Sequence, residues 1–317
     1  MASATSGATR DAFGEKLAEL GASEPRLVVL DGDLGGSTRT VQFMKRFPER
    51  HFEVGIAEQD LIGIAAGLAL SGKIPVATSF ACFLTGRLEP IRVAVAYNQA
   101  NVKLVGTHAG IGIGDDGPSQ MALEDVAAMR ALPGMTVLQP ADAVETRQAV
   151  EWMIRHQGPV YLRLTRQNVE PVHGDDYRWA FGKADLLWRP ASPPPKYQAT
   201  VFATGAVCAN AVRAAKDLES RGFKAQVFNI HTLKPVDVDG IAEAAAAACR
   251  VVTVEDHNVA GGLGSAVAEA LAERGRAVPL VRLGLTDFAE SGTTEELYDK
   301  YGLSARHVAE ACLRNVD

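Results

Sequence analysis

Cysteine is scarce in this chain: four in 317 residues, at Cys82, Cys208, Cys249 and Cys312, with no Cys-x-x-Cys pair among them. That excludes a disulfide scaffold and a cysteine-built zinc site, and scattered free thiols fit a reducing cytoplasm. Long apolar runs are missing too. Nothing approaches the roughly 18–20 consecutive apolar residues of a membrane span, and the opening MASATSGATR lacks the apolar stretch of a secretory signal. Neither sign of charge dominates, since 32 Lys and Arg against 38 Asp and Glu leave a formal charge of −6. A mildly acidic chain gives no reason to expect nucleic acid or an anionic membrane as partner. No repeat of solenoid length is present. What remains is an average globular composition, 47% hydrophobic and 22% charged, in a length of about two domains at roughly 100–200 residues each.

One stretch breaks the pattern. Arg189-Pro-Ala-Ser-Pro-Pro-Pro-Lys196 is proline-rich and has no core periodicity, the composition of a stiff, extended connection between domains. It predicts a domain over 1–188, a linker over 189–197 and a second domain over 198–317. Both parts alternate short apolar runs with helical patterns. Strands are expected at 27–30, 74–77, 102–105, 135–138 and 160–164, then at 199–203, 224–229, 250–254 and 278–283. Helices are expected between them, among them 10–20, 58–70, 89–98, 122–130 and 143–156. Strand–helix alternation of this kind predicts an α/β protein of two domains, each a mostly parallel sheet flanked by helices.

Gly112-Ile-Gly-Asp-Asp-Gly117 is spaced like a dinucleotide-binding fingerprint. That fingerprint sets backbone amides and a helix start against a pyrophosphate. Asp115 and Asp116 would repel the phosphates, and Pro118 removes an amide where the helix should begin. The wider segment, Thr107 to Gln120, is a polar, glycine-rich loop following a strand. It is either a mobile surface connection or a place where backbone approaches a ligand. Glu58, at the start of an apolar helix, is by spacing alone most simply a partner of the helix dipole. The other reading is a buried acid aimed at a cofactor nitrogen.

Taken together and in this order, these segments resemble the C-terminal half of transketolase, and the chain from about residue 8 is similar to the second subunit of a two-chain transketolase. Val-Gly-Ile56-Ala-Glu58-Gln resembles that family's cofactor-activating glutamate motif. Leu-Asp-Gly-Asp33-Leu-Gly-Gly-Ser37-Thr resembles its first strand and loop, and Thr78-Ser-Phe80-Ala-Cys-Phe83 the aromatic pair of its pyrimidine pocket. Asn101-Val-Lys103 and the His108–Gln120 loop resemble its substrate channel, and Leu-Thr-Arg166-Gln-Asn the end of its first domain. Thr232-Leu-Lys-Pro235-Val-Asp, Val-Glu255-Asp256-His and Gly261-Gly-Leu-Gly264 resemble its C-terminal domain.

The resemblance implies thiamine diphosphate as cofactor and a pyrimidine-binding domain followed by the smaller C-terminal one. The family also needs a pyrophosphate-binding domain, marked by Gly-Asp-Gly and a later pair of asparagines around a divalent metal. Neither Asp31-Gly-Asp33 nor Gly114-Asp-Asp-Gly117 fits that mark, and a hard cation needs several oxygen ligands. No metal ligand is therefore expected here. Mg²⁺, or another divalent cation, and the diphosphate would be held by an N-terminal transketolase subunit of roughly 250–300 residues. Two-fold closure is the commonest symmetry, so two copies of each chain (α2β2) are expected.

On the same resemblance, the catalytic residues are Glu58 and His108. Glu58 would hydrogen-bond the aminopyrimidine ring, and burial would keep its proton available near neutral pH. The cofactor set is Glu58, Phe80, Phe83, Asp33 and Ile56. Arg10, Ser37, His108, Asp116, Gln120 and Arg166 would bind the sugar phosphate, a set of donors suited to a dianion. Three positions depart from the family. Gln120 stands where many single-chain enzymes carry histidine and cannot shuttle a proton near pH 7. Gln59 stands where single-chain enzymes often have histidine but short and two-chain relatives commonly have glutamine, and Glu89-Pro90 replaces a more usual Asp-Gln. The expected activity is transfer of a two-carbon ketol unit between phosphorylated sugars in the cytoplasm, with the partner subunit required. The alternatives are the β subunit of a 2-oxo-acid dehydrogenase, a specialised biosynthetic two-carbon transferase, and, remotely, a non-catalytic regulatory subunit.

Overall fold

Runs such as Leu27-Val-Val-Leu-Asp31 and Ile74-Pro-Val-Ala-Thr-Ser-Phe80 have no polar face to offer water, and both are buried along their whole length. Strands of this kind belong in parallel sheets covered on both sides. A computed structural model describes residues 6–314. Its strands are β1 Gly7–Ala8, β2 Leu27–Asp31, β3 His51–Glu53, β4 Ile74–Phe80, β5 Lys103–Thr107, β6 Thr136–Leu138, β7 Val160–Arg163, β8 Asn168–Val169, β9 Asp185–Trp188, β10 Ala199–Ala203, β11 Ala225–Asn229, β12 Thr232–Lys234, β13 Val251–Asn258 and β14 Leu280–Leu285. A seven-stranded sheet has the order β12-β6-β7-β5-β4-β2-β3 and is parallel except for β12. A five-stranded sheet has the order β14-β13-β10-β11-β9 and is parallel except for β9. The short β1 and β8 pair with each other.

Two strands cross between the halves. β9 precedes the proline-rich stretch yet joins the second sheet, while β12 follows it and joins the first. Both are three or four residues long, too short for periodicity to announce which sheet they serve. The helix expected at 122–130 begins only at Asp125, and the one expected at 89–98 is a π-helix over Ile91–Tyr97. One hydrophobic cluster spans both sheets, joining Leu30, Leu61 and Leu104 to Phe202, Ile241 and Leu263. The two units therefore share a core.

The first sheet positions the candidate site. Its adjacent strands β7, β5, β4, β2 and β3 run in the same direction. Their carboxyl ends lead into Arg166, His108, Phe80, the Asp33–Ser37 loop and the turn to Glu58. In open α/β sheets this is the edge beyond which ligands bind.

Candidate functional site

Glu58 opens the helix Glu58–Leu70, and Ala57 before it supplies no side-chain cap. An acid in the first turn complements the unpaired amides there. Its side chain is buried, and Oε1 accepts a hydrogen bond from Ser79 Oγ at 2.9 Å. The turn before it is tied to its neighbour through Glu53, whose Oε1 accepts from Asp33 N at 2.7 Å and Gly55 N at 2.9 Å. Asp31, fully buried at the end of β2, accepts from Leu34 N, Thr38 Oγ1 and Thr40 Oγ1 at 2.6, 2.7 and 2.8 Å. The loop carrying Asp33 and Ser37 is thus wound around one carboxylate. Asp33 itself is exposed with φ of 63°, and Ile56 is 83% exposed on the turn.

Beside Glu58 lies a stack of three rings. Phe80 sits 3.7 Å from His108 and 5.6 Å from Phe83, centroid to centroid, with interplanar angles of 20° and 8°. Phe80 and His108 are buried, and Phe83 is half-buried. His108 Nε2 lies 2.8 Å from Arg10 Nη1, and its Nδ1 lies 2.8 Å from Thr107 Oγ1. A guanidinium only donates. Nε2 is therefore the acceptor, and Nδ1 carries the proton and donates to Thr107. Burial first, then the charges of Arg10, Arg166 and Arg39, push the imidazole down to about 3, so it is neutral near pH 7.

Arg10 is brought to this point by its neighbour Thr9, whose Oγ1 accepts from Thr165 N at 2.8 Å. Arg10 also donates to Ser37 O at 3.0 Å, and its Nε is buried without a hydrogen-bond partner among the described residues. Burial, then the charge of Arg39, lowers its pKa. Arg39 pairs with Asp11 and donates to Gly36 O at 3.1 Å. Arg166 is exposed and donates to Ile113 O at 2.8 Å. Asp116 is exposed, close enough to act on Arg10, and the half-buried Gln120 donates its backbone N–H to Gly117 O at 3.1 Å.

One expected segment lies elsewhere. Asn101-Val-Lys103 stands at the amino end of β5, away from the carboxyl edge, so it is not part of this channel. Lys103 Nζ donates to Asn101 Oδ1, His156 O and Gly158 O at 2.7, 2.7 and 2.8 Å. Burial lowers its pKa to about 7, and it braces the sheet's far end. The Gly112–Gly117 segment opens no α-helix. It is a 3-10 stretch kinked at Gly114 and followed by Gly117.

A second buried cluster, Glu145, His173 and Asp185, has the proximity of a metal site. Its ligand atoms are already taken. His173 bonds Asp142 at 2.9 Å and Asp185 at 2.8 Å. Glu145 accepts from Ala141 N, Tyr177 OH and Asn229 Nδ2 at 2.7, 2.7 and 2.8 Å. Burial opposes the charge on His173, but its bonds to Asp142 and Asp185 raise it to about 10. This is an ion-paired junction between the halves, whose facing atoms are spent on one another.

Two family models match the chain: the transketolase pyrimidine-binding domain over residues 6–171 and the transketolase C-terminal domain over 193–308. The chain belongs to the transketolase family. It is 42% identical to a putative transketolase C-terminal section of Methanocaldococcus jannaschii, over 97% of this chain and 96% of that one. It is 40% identical to a 6-deoxy-6-sulfo-D-fructose transketolase subunit of Clostridium sp., over 95% and 92%. Among solved structures it resembles a split-gene transketolase described as an inactive β4 tetramer, with a TM-score of 0.88, 45% identity and coverage of 96% and 97%.

Within the transketolase frame, two residues at the site escaped the sequence reading. Ser79, on β4, donates to Glu58 at the start of the helix, and its only sequence signal is its place next to Phe80. Arg39 lies near Arg10 and His108, but nothing in its local sequence separates it from a surface arginine. The family implies thiamine diphosphate, and the donor set here fits one end of it. A buried carboxylate beside Phe80 and Phe83 suits an aminopyrimidine. For the diphosphate and its metal, the described residues offer no free oxygen cluster, since Glu145, His173 and Asp185 are spent on the junction.

Proposed function

We propose that this chain is the C-terminal subunit of a two-chain transketolase. It transfers a two-carbon ketol unit from a ketose phosphate to an aldose phosphate, and it turns over only with an N-terminal subunit that holds the diphosphate and Mg²⁺. The observation that carries this reading is the convergence of Glu58, the Phe83–Phe80–His108 stack and the arginines 10, 39 and 166 on one sheet edge.

Thiamine diphosphate supplies, when bound, the carbon that attacks the donor carbonyl and the ring that takes up the electrons of the broken C–C bond. Phe80 and Phe83 would hold its pyrimidine by apolar contact. Glu58 would hydrogen-bond a ring nitrogen of that group, and low exposure would strengthen the bond. Arg10, Arg39 and Arg166 surround the place for the sugar's anionic group. His108 has both ring nitrogens engaged. A phosphate that draws the Arg10 donor to itself frees Nε2 to face the substrate. Asp116, Ser37 and Gln120 at the rim take sugar hydroxyls. The anionic sulfo-sugar named for the Clostridium relative is consistent with the same arginines.

The need for a partner is supported by surface next to Glu58. Ile56 on the turn before it, Ile64 and Leu70 on its helix, and Val93 and Tyr97 on the π-helix are 83, 43, 69, 44 and 83% exposed, and exposed apolar side chains are what protein partners cover. The test mixes the chain with an N-terminal transketolase subunit, thiamine diphosphate and Mg²⁺, and assays xylulose 5-phosphate with ribose 5-phosphate. Transfer is expected in the mixture only. Turnover by the chain alone, or none in the mixture, overturns the proposal.

A further inference from the structure

The loop between His108 and Gln120 is held from the second domain. Its neck is closed by the Ala109–Ala122 bridge. Beyond it, Ile111 N and Gly112 N donate to Asp256 Oδ1 and Oδ2 at 2.7 and 3.1 Å. Tyr298 OH donates to Asp256 Oδ2 at 2.9 Å and accepts from Gln167 Nε2 at 2.9 Å. Thr294 Oγ1 donates to Gly112 O at 3.0 Å. Arg163 fastens the neck to the same strand, donating to Ala122 O at 2.9 Å and Asp256 O at 3.0 Å. Ile111 and Ile113 are buried in the second domain's core with Val254, Leu285 and Leu297. At Gly110 a methyl group would run into the Asp256 carboxylate, and at Gly112 into Gln167 and the Tyr298 hydroxyl. Both glycines allow close approach, and Gly110 also takes a φ of 81° that side chains rarely adopt.

We infer that Asp256 and Tyr298 are positioning residues. From the C-terminal domain they fix the loop whose two ends present His108 and Asp116 to the site. A carboxylate receiving two consecutive amides and a phenol sets both the height and the direction of the loop backbone. Each lost bond to such an acceptor is costly when buried. The inference rests on the proposed sugar-phosphate site, because it gives the fixed loop a task there.

The test uses Asp256→Asn, which keeps the shape but loses one acceptor oxygen, and Tyr298→Phe, which loses one hydroxyl. Hydrogen exchange is read on the intact chain, and kinetics are read on the mixture with the N-terminal subunit. For Asp256→Asn, exchange at the Ile111 and Gly112 amides should quicken about tenfold or more, with β10 and β11 unchanged. KM for the ketose phosphate should rise about tenfold while kcat stays within about threefold. Tyr298→Phe should move the same readouts about threefold, and it carries the test alone if Asp256→Asn does not fold. Unchanged exchange at the two amides, or an unchanged KM alongside quickened exchange, overturns the inference. If the wild-type mixture shows no transfer, the site reading has failed, and the amide exchange still decides whether the clamp exists.

Discussion

His108 and His173 are both buried histidines of the first half of the chain, and their surroundings drive them apart. His108 stands at the open edge of the sheet, where burial and arginines 10, 166 and 39 push it down to about 3. His173 stands in the junction between the halves. There burial is overcome by bonds to Asp142 and Asp185, and its pKa rises to about 10. The junction has closed its own charges. The site gathers positive charge around a neutral ring and leaves Arg10 Nε without a partner among the described residues. The difference separates a region whose charges are paired to hold the fold from one whose charges match the anion of the proposed reaction.

The largest effect should come from the site side. Glu58→Ala should cut kcat of the reconstituted enzyme by about two to four orders of magnitude while leaving the thermal midpoint of the chain nearly unmoved. On the junction side the pattern should reverse. Asp142→Ala removes the cap of the helix Ala143–Arg155 and the acceptor of Val172 N and His173 N, and it strips the His173 cation of one partner. Denaturant unfolding should show a loss of about 3–5 kcal/mol, with turnover per folded molecule retained. If Asp142→Ala lowers kcat without costing stability, the two regions are not separate in the way described.

Arg10→Met should be intermediate. kcat/KM for a phosphorylated ketose should fall about 10- to 100-fold, the cost of losing a charged donor, and the drop should be smaller for the dephosphorylated sugar. An equal drop for both would remove phosphate recognition from Arg10. The smallest effect concerns pH. His173 is raised above its unfolded value of roughly 6.5, so its contribution is full below that pH and is lost as pH rises through about 10. His108 is depressed, so its contribution is present above about pH 6.5 and is lost as pH falls toward about 3. Stability-versus-pH curves should therefore lose their alkaline fall in His173→Gln and part of their acid fall in His108→Gln.

Much of this was legible before any coordinates. Fully apolar runs announce parallel strands; Phe80 and His108 fall at strand ends, and Glu58 at a helix start, because the motifs around them lie on strand–loop and loop–helix junctions. The limits are physical. Ser79 meets Glu58, and Arg39 acts on His108, from separate elements, so neither contact is written in local spacing. Asn101-Val-Lys103 carries a familiar pattern, but a strand has two ends, and this segment sits at the wrong one. Glycine number in the 106–117 stretch does not distinguish mobility from close packing. Only the approach of Asp256, some 145 positions away from Ile111 in sequence, shows which it is.

The account turns on a neutral His108 among arginines and a charged His173 among carboxylates. A histidine side-chain NMR titration of the folded chain tests this most directly. The account predicts that His108 stays neutral, with the proton on Nδ1, down to about pH 4, while His173 stays doubly protonated up to about pH 9. Both rings titrating together near pH 6.5, or His108 carrying its proton on Nε2, would contradict it.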